Sequence, residues 1–234
     1  MGLTTTASAA QGIDHSLYAG LLEKYMKDGV VNYQGFKNES SVLDKYLKVL
    51  EEADSKTLSR NEQFAFYINA YNAWTIKLIL SGYPGVKSIK DLGGLFRSPW
   101  KKKICRIDGK IITLDDIEHN RLRPRFKDPR VHFAVNCASK GCPPLRSEPY
   151  RGSTVDQQLD DSVSTAVNNP GRNRLEGETL YVNKVFGWFS EDFENGVVAF
   201  FLKYAKGDLK KRLESGKEKI KIKYLDYDWP LNGK

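Results

Sequence analysis

No stretch of this 234-residue chain stays apolar for the roughly 18 residues that a membrane-crossing helix needs, so no transmembrane segment is expected. Phosphate-cradling loops, dinucleotide fingerprints and calcium-loop patterns are missing, and no cofactor is expected. Sulfur and imidazole are scarce. There are three cysteines and three histidines, with no Cys-x-x-Cys pair and no His-Glu-x-x-His, so the usual zinc spacings are excluded. An odd cysteine count leaves the redox compartment open. Internal repeats and low-complexity linkers are lacking.

Acidic residues are outnumbered, 29 against 37 basic, for a net charge of +8. That balance speaks to solubility and steering more than to function. The basic residues gather at Lys101–Lys103 and from Lys210 to Lys223. In the second group Lys219, Lys221 and Lys223 alternate with Ile220, Ile222 and Tyr224, which reads as a strand whose solvated lysine face guards a sheet edge. No nucleic-acid motif accompanies these charges, so nucleic acid is not expected as a partner.

Aromatic residues are plentiful: eleven Phe, twelve Tyr and four Trp, enough with the aliphatic residues for a proper core. Residues 1–12 read as a disordered leader or the remnant of a signal peptide, with the small residues Ala7-Ser8-Ala9-Ala10 near a cleavage site. On that reading the protein is exported, to the periplasm or beyond. Residues 13–232 are expected to form one domain. Asp14 caps a first helix, with His15 at the surface of its first turn, and a second helix spans about Ser41 to Ala53. Ser59 and Glu62 open a long helix from Phe64 to Leu80 that is apolar nearly all round, stopped by Gly82 and Pro84. Hairpins are predicted at Ile104–Ile112, turning on Asp108-Gly109, and at Leu175–Lys184. Between and after them come helices from Leu114 to Arg123, ended by Pro124, from Thr154 to Asn168, and from Ser190 to Tyr204. The fold class is therefore α+β, helix-rich at the N-terminal end, with short β-hairpins, a small antiparallel sheet and packed helices.

The chemistry concentrates in a few places. Val131 to Val135 reads as a buried strand that delivers Cys137 to a loop broken by Gly141 and Pro143-Pro144. Glu118 falls within the apolar face made by Leu114, Ile117 and Leu122, with His119 on the flank beside Asp115. A carboxylate aimed at a core must be paired, hydrogen-bonded or protonated, so Glu118 is either half of a buried ion pair with an arginine such as Arg121 or a catalytic group. Asn69 and Asn72 share one face of the long helix and either pin a neighbouring loop or line a site.

Three blocks, Asn69-Ala70-Tyr71-Asn72-Ala73, Leu114-Asp115-Asp116-Ile117-Glu118-His119 and Asn136-Cys137-Ala138-Ser139 with Gly141-Cys142-Pro143, resemble in order and spacing the family catalogued as domain of unknown function 547. Tyr227-Asp228-Trp229 is similar to that family's ending, and the likeness runs over roughly residues 30 to 230. The resemblance implies bacterial relatives that are often exported, and no settled activity.

Function must therefore come from the residues, which leave three readings open. In the first, the protein is a cysteine-dependent hydrolase or acyl/peptidyl transferase acting on a small peptide or acyl substrate. Cys137 is then the nucleophile, His132 or His119 the base and Glu118 the orienting group. Asn69, Asn72, Asn136 and Ser139 bind substrate, with backbone N–H groups of the 138–141 turn or Asn136 facing an oxyanion. In a regular strand, however, His132 and Cys137 point to opposite faces. In the second, Cys137 and Cys142 form a disulfide in a non-catalytic exported binding or scaffold module. In the third, His119, His132, Cys137 and Cys142 hold zinc.

Overall fold

The computed structural model describes residues 12–94, 97–216 and 218–233. Residues 1–11, most of the expected leader, lie outside the described residues. Helix α1 (Ser16–Tyr25) leads into a two-residue ribbon, β1 (Met26–Lys27) with β2 (Val30–Val31), then α2 (Tyr33–Asn38) and α3 (Ser40–Glu52). The organising element is α4 (Arg60–Leu80), where the Ser59 side chain accepts the Glu62 N–H at the first turn. From Gln63 to Ile79 every side chain but Lys77 is buried, as an all-round apolar pattern requires.

A hairpin follows, β3 (Cys105–Ile107) with β4 (Lys110–Ile112). Its turn places Asp108 and Gly109 at φ 53° and 67°, the two positive values that a primed turn demands. The next helix is continuous through a π-helical stretch, Asp116–Leu122, into α5 (Arg123–Phe126). Pro124 does not end it. The widened turns ahead of the proline take up its ring and its missing N–H. After the cysteine loop come α6 (Val155–Val167), β5 (Arg174–Glu176), β6 (Thr179–Val182), α7 (Val185–Trp188), α8 (Gly196–Tyr204), α9 (Gly207–Gly216) and β7 (Lys221–Tyr224). The sheet is mixed, not antiparallel throughout: β5 pairs antiparallel with β6, and the lysine-edged β7 pairs parallel with it. The architecture is α+β.

Two clusters of buried apolar side chains organise these elements. One surrounds α4; the other gathers Phe186, Phe193 and Phe201 with Val163 and Leu180. Helix α6 contributes to both, Val155 and Leu159 to the first and Val163 and Val167 to the second.

Three expectations are corrected here. The apolar run at Val131 is not a strand. Pro129–Phe133 is a 3₁₀ turn, begun by Pro129 and capped by Asp128, which accepts the Arg130 N–H at 2.9 Å. A short run of buried β-branched and aromatic residues has the same signature in either state, and here a proline and a capping carboxylate decide it. Ser190 likewise opens only a 3₁₀ turn, Ser190–Asp192; α8 begins at Gly196, where φ is 77° and the chain reverses in a conformation that favours glycine. Finally, His15 is not a surface residue. It is 2% exposed, its Nδ1 2.8 Å from the Tyr46 hydroxyl and its Nε2 3.3 Å from Asn69 Nδ2. Burial, helped by the Arg151 charge and opposed by Asp14, lowers its pKa to about 4.

Candidate functional site

A cavity of about 330 Å³ opens where α4, the π-helical stretch, the 3₁₀ turn at His132, the cysteine loop, α7 and the 227–229 segment meet. Its walls are mainly aromatic, and Trp188, 42% exposed, stands at its mouth. Tyr227 packs 4.7 Å from Trp188 and 4.6 Å from Trp229, centroid to centroid.

The π-helical widening places Glu118 in this wall, 8% exposed. Arg121, its expected partner, turns away to the Tyr67 hydroxyl and Asp108, so Glu118 is not half of that ion pair. Burial raises its pKa to about 7, only partly offset by a hydrogen bond from Tyr71 and the charge of Arg123. Such a carboxyl exchanges a proton near neutrality.

His132 is buried against Phe189, ring centroids 4.0 Å apart. Its Nε2 lies 2.6 Å from Asp192 Oδ2, while Nδ1 is buried without a hydrogen-bond partner, 4.0 Å from Glu118 Oε1. With Nε2–H donating to the carboxylate, the lone pair resides on Nδ1. Burial lowers the His132 pKa, against the pull of Asp192. Asp192 is raised by burial and lowered more strongly by hydrogen bonds from His132 and Arg123, and it ends well below the usual carboxylate range. Asp192→Asn is therefore expected to depress the His132 pKa further, which ¹⁵N NMR of the imidazole checks.

His119 sits half-exposed on the rim. Its Nδ1 accepts from Arg123 at 2.9 Å, and its Nε2 is 3.8 Å from Asp115.

Cys137 and Cys142 are joined by a disulfide, so Cys137 is not a free thiol in this structure. Both cysteines line the cavity with Glu118, His119 and His132. Removing the expected strand removes the objection that His132 and Cys137 face opposite ways. Cys105, in β3, is a free and fully buried thiol that burial pushes up in pKa. Among the described residues no group of three or more His, Cys, Asp and Glu is placed to hold a metal ion, and the disulfide has taken two of the four ligands of the zinc reading.

The four residues expected to touch substrate do not line the cavity. Asn69 brackets Tyr150, donating to its carbonyl at 2.8 Å and accepting its N–H at 2.9 Å. Asn72 does the same for the cysteine loop, donating to the Ala134 carbonyl at 2.9 Å and accepting the Asn136 N–H at 2.8 Å. Asn136 donates to the Pro143 carbonyl and accepts from the Ala138 N–H. Ser139, fully buried, donates to the Tyr227 hydroxyl at 3.1 Å. The expected oxyanion donors are also engaged: the N–H groups of Ala138, Lys140 and Gly141 go to Asn136, Pro230 and Asp228.

The last two of those bonds belong to a strap. Residues 227–232 run along the loop, adding the Asn232 N–H to the Ala138 carbonyl at 3.1 Å and a bridge from Ser139 to Leu231. Gly141 permits the approach, because a Cβ there would meet the Asp228 nitrogen and the Tyr227 ring at 3.0 Å. Asp192 and Trp188 escaped the sequence reading, since nothing local to either marks it. Tyr227 was visible only as part of a terminal motif.

The fold and cleft define an α+β protein that gathers a buried acid, an aspartate-held imidazole and a disulfide against aromatic walls. Residues 55–165 match the model of the family described as protein of unknown function, DUF547. That stretch carries Glu118, His132 and both loop cysteines, while Asp192 and Tyr227 come from outside it. No curated protein and no solved structure matches the chain. Among the described residues no helix is long and apolar enough to cross a membrane.

Proposed function

We propose that the cleft performs acyl transfer, as a cysteine-dependent hydrolase or acyl/peptidyl transferase, once a thiol reductant has opened the Cys137–Cys142 bond. The observation that carries this reading is the bare Nδ1 of His132, in an imidazole fixed through its other nitrogen by Asp192. Thiol activation requires a base held in one orientation with its lone pair free, and this imidazole lines the same cavity as both loop cysteines. The Cys137 thiol gives its proton to Nδ1, and the thiolate attacks a carbonyl carbon. The adduct then collapses to a thioester as the leaving group takes the proton back, and water or an amine releases the acyl group. Protonated Glu118 is the donor left for the oxyanion, in place of the loop N–H groups already in use. An aromatic cavity of about 330 Å³ suits an acyl chain or a short peptide side chain. The disulfide fits an oxidising compartment, the periplasm or outside the cell.

The disulfide itself supports a second reading, an exported binding or scaffold module in which it is a permanent staple. One experiment separates the two. Reduced protein mixed with p-nitrophenyl acetate is expected to release a burst of nitrophenolate and to carry acetyl on Cys137. Cys137→Ser abolishes the acetylation with the fold intact, and His132→Asn slows it about a hundredfold. No burst, with one titratable thiol in the unfolded unreduced chain and a loop unreactive to alkylation after reduction, leaves the staple.

A further inference from the structure

We infer that Cys137–Cys142 is a working thiol–disulfide couple in which an incoming thiolate attacks Cys137 and Cys142 departs. Acyl transfer plays no part in this inference; a chain that never cleaves an ester would still show it.

The two sulfurs are not equivalent. Both line the cavity, but Cys137 is partly exposed there, whereas Cys142 is 4% exposed and the less accessible of the two. The Cys137 N–H donates to the buried sulfur at 2.9 Å, while the Tyr227 hydroxyl lies 3.1 Å from each of the two sulfurs. Ser139, 3.2 Å from the Cys137 sulfur, donates to the Tyr227 oxygen, which leaves the phenol proton for whichever sulfur becomes the thiolate. Burial pushes the Tyr227 pKa up to about 12, so the proton stays in place at neutral pH. Donors around a sulfur stabilise it as a thiolate, and exchange is faster when the departing thiolate is the better stabilised one. A staple gains nothing from this asymmetry. Its separation of five residues also closes a short loop, where cross-linking restricts the unfolded chain least.

The balance is complete with a small thiol such as glutathione. Its thiolate attacks Cys137 Sγ, the protein S–S bond breaks, and the electron pair leaves on Cys142 Sγ. A second thiolate attacks the glutathione sulfur of the mixed disulfide and expels the Cys137 thiolate. Two thiols are oxidised to one disulfide, and the protein gains two electrons and two protons.

The test treats native protein with reduced glutathione, quenches with iodoacetamide and digests with trypsin, which cuts after Lys140 and separates the two cysteines. The expected product carries glutathione on the Cys137 peptide and the alkyl group on Cys142. Glutathione on Cys142, an even split, or no reduction of the folded chain would overturn the inference. Tyr227→Phe, checked for folding by circular dichroism, should keep the preference for Cys137 and slow reduction roughly tenfold. Loss of the preference for Cys137 in this variant would overturn the inference.

Discussion

Asn72→Leu is expected to lower the unfolding free energy by about 4 kcal/mol, seen as a fall in the urea midpoint. Leucine nearly conserves the volume, so no large cavity opens inside α4. What disappears is the amide that pairs with the Ala134 carbonyl and the Asn136 N–H, two main-chain groups at a buried position between the 3₁₀ turn and the cysteine loop. Each group left unpaired costs about 1–3 kcal/mol, and the main-chain bonds from the 227–232 strap to the loop fall on residues 138–141, past the two groups that the amide serves. Asn72→Asp keeps the acceptor and should cost less if its carboxyl is protonated. A loss below about 1 kcal/mol for the leucine variant would mean that the loop re-pairs without the amide.

The second large effect is a pair of opposed pH dependences. His15 has its pKa lowered from 6.5 to about 4, so between those values the unfolded chain binds more protons than the folded one. Its stabilisation is present above pH 6.5 and is lost as pH falls toward 4, by about 3 kcal/mol. Glu118 has the reverse sign. Its pKa rises from 4.5 to about 7, so its contribution is complete below pH 4.5 and lost as pH climbs through 7, again by about 3 kcal/mol. His132, lowered by burial, acts in the direction of His15, and Asp192 acts only below the usual carboxylate range. The His and Glu slopes oppose each other in the wild type. Removing one exposes the other: Glu118→Gln should gain stability more steeply than wild type from pH 4.5 to 7, and His15→Gln less steeply from pH 4 to 6.5. Urea unfolding of the three proteins across this range checks it. Parallel curves would show that neither group titrates as its burial dictates.

How far the sequence revealed this arrangement depended on whether the cause was local. The Asp108-Gly109 turn and the apolar α4 were legible, because both are written into neighbouring residues. So was the misfit of Glu118, a carboxyl on an apolar face. The Val131 run was misread because composition cannot tell a buried 3₁₀ turn from a buried strand. His15 looked exposed because its partners, Tyr46 and Asn69, lie 31 and 54 positions away. Asp192 is 60 positions from His132, and only the fold brings them together. Asn69 and Asn72 were recognised as buried amides needing partners. Their partners proved to be main-chain groups of Tyr150, Ala134 and Asn136, outside the cavity wall.

The strap from Tyr227 to Asn232 also sets an order of events during synthesis. The phenol that touches the Cys137 sulfur lies 90 positions downstream of it. On the ribosome both cysteines therefore emerge, and meet any oxidant, long before the residues that will hold their loop exist. Until that late clasp arrives, the nascent sulfurs are ordinary reactive thiols, and pairing with the right neighbour depends on their closeness along the chain.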